Sequence, residues 1–190
     1  MTEQFEAEIV FGLPPGEHDP YELSDAVFEA GFEDAIVGTG HPRLLSVELD
    51  GESNDAKAAI LGAARAIIRR LPAGAELREV RPDLVSLADV AEKLGVTRQT
   101  LQKRAMPVPF SHGLYRIDEV AASLRNLETA TGGGRKPRFN IADAEKWFAG
   151  GSAARQLNAL IALHEIDVHS AELMGARTDA DHPRHAHLPA

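Results

Sequence analysis

VSLADVAEKLGVTRQTLQKRAM, Val85 to Met106, reads as a helix, a tight turn and a second helix. Ser86 is a good N-cap for the first helix, and Asp89 supplies the acidic partner of a capping box. Leu87, Val90, Ala91 and Leu94 recur at helical spacing and form its inner face. Gly95 permits the sharp turn, since a left-handed backbone is cheapest for glycine, and Val96 packs the turn. Thr97 caps the second helix. The spacing predicts helices over 87–94 and 97–105. Leu101 turns inward, while Arg98, Gln99, Thr100, Gln102, Lys103 and Arg104 stay outside. This is the layout of a helix-turn-helix, whose second helix enters the DNA major groove. Arginine and glutamine read guanine and adenine edges through paired hydrogen bonds, and threonine and lysine suit phosphates. The competing reading is an ordinary surface helical hairpin, but caps, glycine, apolar spacing and polar face all agree on the first.

Downstream, VPFSHGLYRI (108–117) predicts a small hairpin or wing, and IDEVAASLRNL (117–127) returns to helical spacing. TATGGGRKPR (129–138) is rich in glycine and base. FNIADAEKWFAG (139–150) then sets an aromatic residue before a short helix. LYRIDEVAASL and RFNIADAEKWF share an order of aromatic, one residue, isoleucine, then acidic and apolar positions, a weak internal similarity. Residues 152–174 read as one helical stretch with Leu157, Leu160, Ile161, His164 and Val168 on one side.

SLADVAEKLGVTRQTLQK followed by PVPF…GLYRIDEVAASL resembles the winged helix-turn-helix of the MerR-type and excisionase-type DNA-binding families. The close match covers residues 83–124, and the first segment matches small bacterial regulators only in layout. The resemblance implies that Thr97, Arg98, Gln99, Thr100 and Lys103 are recognition-helix contacts. It implies wing contacts at Ser111, His112 and Arg116, with Tyr115 anchoring the wing to the core. The chain departs from the family pattern after Leu124. Arg135, Lys136 and Arg138 either reach a minor groove or phosphates, as basic arms do, or form a solvated linker. With Ser86, Gln102 and Arg104 these complete the candidate DNA-contact set.

Upstream, FEAEIVFGL (5–13) alternates apolar and polar residues as a strand does. Pro14–Gly16 breaks it, Asp19–Pro20 starts a helix and Gly31 ends it. DAIVGTG (34–40) and RLLSVELD (43–50) predict two strands. Asn54 or Asp55 caps a helix over 56–71, and AELREV (75–80) is a fourth strand. The order βαββαβ predicts a ferredoxin-like unit, so the fold class is α+β. The expected divisions are 1–82 for this unit, 83–150 for the DNA-binding unit, 151–175 for a C-terminal helix and 176–190 for a disordered tail.

The net charge of -9 is unevenly spread. Residues 1–83 hold 17 acids and 7 bases, whereas residues 84–148 hold 7 acids and 10 bases. The positive excess coincides with the helix-turn-helix, and local phosphate contacts decide DNA affinity. There are no cysteines, so disulfides and thiolate sites are excluded. The start MTEQFEAEIVF lacks a basic, apolar leader, and no apolar run approaches the ~20 residues of a membrane span. A cytoplasmic, nucleoid-associated protein is expected. His182, His185 and His187 in the tail, with His164 and His169, have no fixed frame for a metal, and His164 reads as a core or interface residue. GTGHP (38–42) and GGGRK (132–136) lack the spacing of a phosphate loop. His18 with Asp19, and His41, read as loop residues. No enzyme activity, metal or cofactor is expected.

The expectation is a homodimeric, sequence-specific regulator of transcription that binds double-stranded DNA. The alternative is a protein-interaction adaptor, of antitoxin or phage-neutraliser type, that works through the acidic N-terminal unit. A third reading is a small-molecule sensor on the same unit.

Overall fold

The computed structural model describes residues 2–129 and 139–175. The chain is a mixed α+β protein built around a four-stranded antiparallel sheet. Its strands are β1 (Glu3–Gly12), β2 (Ile36–His41), β3 (Leu44–Ser53) and β4 (Glu76–Arg81), in the order β2-β3-β1-β4. Helix α1 (Pro20–Glu29) joins β1 to β2, and α2 (Ala56–Ile68) joins β3 to β4. Asp19 caps α1 through the Tyr21 N–H, and Asp55 caps α2 through the Ala58 N–H. The pleat explains the alternation: Phe5, Ala7, Ile9 and Phe11 pack into the core with Leu23, Val27, Ile60 and Ile67. Glu6 and Glu8 take the other face.

The second unit starts at β5 (Leu84–Ser86), followed by α3 (Leu87–Lys93) and α4 (Arg98–Gln102). β6 (Leu114–Arg116) then pairs with β5, Val85 opposite Tyr115. The wing sequence therefore pairs mainly with the strand before the first helix. Within 108–117 itself there is one bridge, Ser111 to Leu114, closed by His112 and Gly113 at positive φ. α5 (Ile117–Thr129) completes the unit. Val85, Val90, Ala91, Leu94, Leu101, Ile117, Val120 and Leu124 form its core.

The predicted helix over 152–174 is displaced. After a 3-10 turn (Ile141–Ala144), α6 runs from Glu145 to Ala162, straight through the predicted division at 150–151. Trp147 and Phe148 enter the second core, while Ala153, Ala154 and Leu157 enter the first. Gly150 and Gly151 mark the crossing. A side chain at 150 would strike the Glu6 carbonyl of β1, and one at 151 the Ile117 side chain. The helix thus contacts both units at glycine range.

Beyond α6, His164 adopts φ 56 and is exposed, so of its two expected places, core or interface, the core is ruled out. The chain turns into a two-stranded hairpin, β7 (Ile166–Asp167) and β8 (Glu172–Leu173). The outer edge of β4 dictates this path. The Leu77 N–H donates to the Val168 carbonyl at 2.7 Å, and His169 Nδ1 lies 3.0 Å from the Ala75 carbonyl oxygen. Asn158 of α6 accepts from the Val80 N–H and donates to the Val80 carbonyl, both at 2.8 Å, and donates to Asp83 at 3.0 Å. One amide thus satisfies two edge groups and tethers the link to the second unit. Asn158→Leu leaves those groups without their partner and is expected to cost about 1–3 kcal/mol in urea denaturation. An unchanged midpoint would show that water replaces the amide.

Candidate nucleic-acid interface

Ser86 caps α3 as expected. Its hydroxyl accepts from the Ala88 and Asp89 N–H groups, and the Ser86 N–H donates to the Asp89 carboxylate at 2.7 Å. Gly95 turns the chain at φ 61. Thr97 caps α4, with its Oγ1 3.0 Å from that of Thr100. The first candidate contact and the two threonines are therefore partly spent on holding the helices. Leu101 is fully buried and fixes α4 to the core beside Val90 and Ala91.

α4 is shorter than predicted. Five residues are helical, Lys103 is the C-cap and Arg104 is half-buried. Pro107 keeps Met106 out of helical conformation, but α4 has already ended by Lys103. Arg98, Gln99, Gln102 and Lys103 are exposed as predicted, and Thr100 is half-buried. Ser111 and His112 form an exposed turn, with Ser111 Oγ 2.9 Å from His112 Nδ1. Tyr115 packs partly against the second core, as an anchor would. Arg135, Lys136, Arg138 and the tail 176–190 lie outside the described residues.

Several basic side chains that face other elements are neutralised: Lys93 pairs with Glu6 and lies 5.9 Å from the Trp147 ring centroid, and Arg155 pairs with Asp118. Arg125 reaches Glu145 at 2.7 Å, and that hydrogen bond holds its guanidinium above its ordinary value. Arg98, Lys103, Arg104 and Arg116, by contrast, make no ion pair among the described residues. All four belong to α4 or the segment that follows it.

No protein family, curated protein or solved structure matches this chain.

Sequence reading passed over one feature of this surface. Pro107–Phe110 forms an arm on which Val108 is 85% and Phe110 55% exposed. The Arg116 guanidinium stacks on Phe110 at 4.2 Å, a cation–π arrangement. The signal was the PVPF run itself: two prolines bracket an apolar residue where a loop is ordinarily polar.

The acidic residues gather elsewhere. On the sheet face turned from α1 and α2, Glu6 stands opposite Asp50 and Glu8 opposite Glu48. A cleft of ≈ 540 Å³ opens there, lined by Glu8, Glu48, Glu79, Arg81, Lys93 and Trp147 among others. Like charges directly opposed across strands are destabilising. Lys93 and Arg81 offset part of that cost through Glu6 and Glu8.

Proposed function

We propose that this chain is a sequence-specific DNA-binding regulator of transcription. In this reading residues 1–82 form a ferredoxin-like unit that mediates dimerisation or partner contact. Residues 83–150 act as a winged helix-turn-helix of MerR or excisionase type, with α4 in the major groove and the Ser111–Arg116 turn as the wing. The observation that carries the reading is the segregation of cations. Lys93, Arg125 and Arg155, which face other elements, have acidic partners, and the four on α4 and its sequel make no ion pair among the described residues. Unpaired guanidinium and ammonium groups on one short segment suit a polyanion, and exposed Arg98 and Gln99 suit base edges. No described helix is long and apolar enough to cross a membrane, and a nucleoid location follows from the DNA reading alone.

The test is selection of sheared DNA from the source genome by the purified protein, sequenced at two salt concentrations. Enrichment of a few sites sharing a motif, surviving higher salt, supports specific regulation and gives the half-site spacing. Uniform, salt-labile recovery, or none, overturns it. That outcome would favour the adaptor reading, for which the opposed Glu6–Asp50 and Glu8–Glu48 pairs are the motive: a basic protein partner would relieve them.

A further inference from the structure

The Pro107–Phe110 arm carries apolar side chains where loops are ordinarily polar, and the fold holds it outward. The Phe110 N–H donates to the Leu114 carbonyl at 2.8 Å, and the Leu114 N–H donates to the Ser111 carbonyl at 2.7 Å, so a closed turn fixes the backbone beneath the ring. Pro107 and Pro109 fix φ at two of the arm's residues and restrict Met106 and Val108 before them. Val108, Phe110 and Leu114 nevertheless stay exposed. An arm restrained in this way loses little entropy when something covers it.

Charge and area choose the occupant. From Lys93 to Ile117 the sequence holds five bases and no acid, although the whole chain has 29 acids and 20 bases. Arg98, Lys103, Arg104 and Arg116 make no ion pair among the described residues. The Arg116 guanidinium lies on the Phe110 ring itself. The surface around the arm therefore suits a polyanion. A buried phenylalanine covers about 150–250 Å², so Val108 and Phe110 supply far less than the ~1,200 Å² at the low end of protein interfaces. One base step accepts a wedge of that size. Proteins that enter the minor groove unstack a step with phenylalanine, proline or similar residues beside arginine or lysine. We propose that the arm is such a wedge. Phe110, backed by Val108, enters the minor groove and opens one base step next to the contact of α4, and Arg116 meets the flanking phosphate. The proposal rests on the DNA-binding reading and adds a determinant to it. Pyrimidine–purine steps open most easily, so the arm selects sequence at a step where no hydrogen bond reads a base.

The test uses the full chain and duplexes carrying a selected site, with a fluorescent adenine analogue, quenched in the stack, at successive positions. The wild type is expected to raise the fluorescence at one pyrimidine–purine step only. Phe110→Ala is expected to lose that rise while still binding, with its circular dichroism unchanged, and Phe110→Leu to keep it. Arg98→Ala at saturating concentration keeps it too, which separates the arm from α4. Replacing the opened step by a stiff AA step is expected to weaken the wild type roughly fivefold or more and to leave the affinity of Phe110→Ala unchanged. A wild type that binds the site with every base stacked overturns the inference and leaves the DNA reading standing; an arm that serves a protein partner gives that result. A rise that survives Phe110→Ala also overturns the inference alone. A chain that selects no site overturns both.

Discussion

Arg98→Ala and Gln99→Ala are each expected to weaken binding to a selected DNA site by ~1–3 kcal/mol, roughly 5- to 150-fold, and to relax its sequence preference. Both side chains are exposed at the start of α4, and neither is committed to a cap or an ion pair. Truncating them therefore leaves the fold within about 0.5 kcal/mol of wild type. The neighbours behave differently. Thr97 and Thr100 share the N-terminal cap, so their loss mixes helix destabilisation with lost contact. Lys103, at the C-cap, suits a phosphate. Lys103→Ala is expected to reduce affinity evenly across sequences and to lower the salt slope by about one. Fluorescence anisotropy with matched and scrambled duplexes, over a salt series, separates the two patterns. If Arg98→Ala and Gln99→Ala bind the matched site as the wild type does, α4 is not the reading helix.

Much of this surface was legible in the sequence because its determinants are local. Ser86 with Asp89, Gly95 and Thr97 are capping and turn residues whose partners lie within three or four positions. The alternation of Phe5, Ala7, Ile9 and Phe11 was equally readable, since these side chains fill the core while Glu6 and Glu8 between them stay half-buried on the other face. The end of α4 at Gln102 had no such local signal, since Pro107 restricts only Met106. The path after Ala162 was hidden for another reason. Leu157, Leu160, Ile161, His164 and Val168 keep helical spacing, so periodicity extends the helix. The Leu77 N–H on the edge of β4 takes the Val168 carbonyl instead, and a tertiary hydrogen bond outweighs a weak propensity. The free cations of α4 and its sequel could be listed from sequence. That they lack acidic partners while Lys93 and Arg155 have them could not, because the carboxylates serving Lys93 and Arg155 lie on distant elements.

Gly150→Ala is expected to be among the most destabilising single-methyl changes in the chain, by about 3–5 kcal/mol. Gly150 and Gly151 straddle the expected division between units. Here they sit inside α6, where the helix meets the backbone of β1. The added methyl would strike the Glu6 carbonyl oxygen and stand 2.8 Å from the Glu6 carbonyl carbon. Both are main-chain atoms of β1, where Glu6 is held in register with Asp50 of β3, so no rotamer change relieves the clash. The helix must lift, and lifting it loosens Ala153, Ala154 and Leu157 in one core, Trp147 and Phe148 in the other, and the Asn158 amide on Val80. At about 2–4 °C per kcal/mol for a chain of this size, the melting temperature should fall by on the order of 10 °C. Gly62→Ala is the control. It lies in α2 with nothing within 4 Å of the new methyl, and removing a helical glycine there should stabilise by about 0.4–1 kcal/mol. The two variants add the same atom to the same kind of residue, so helix propensity cancels between them. A Gly150→Ala melt within 2 °C of wild type would mean that α6 does not touch β1 as described. A large drop would support α6 as the strut joining the four-stranded sheet to the unit of α3 and α4.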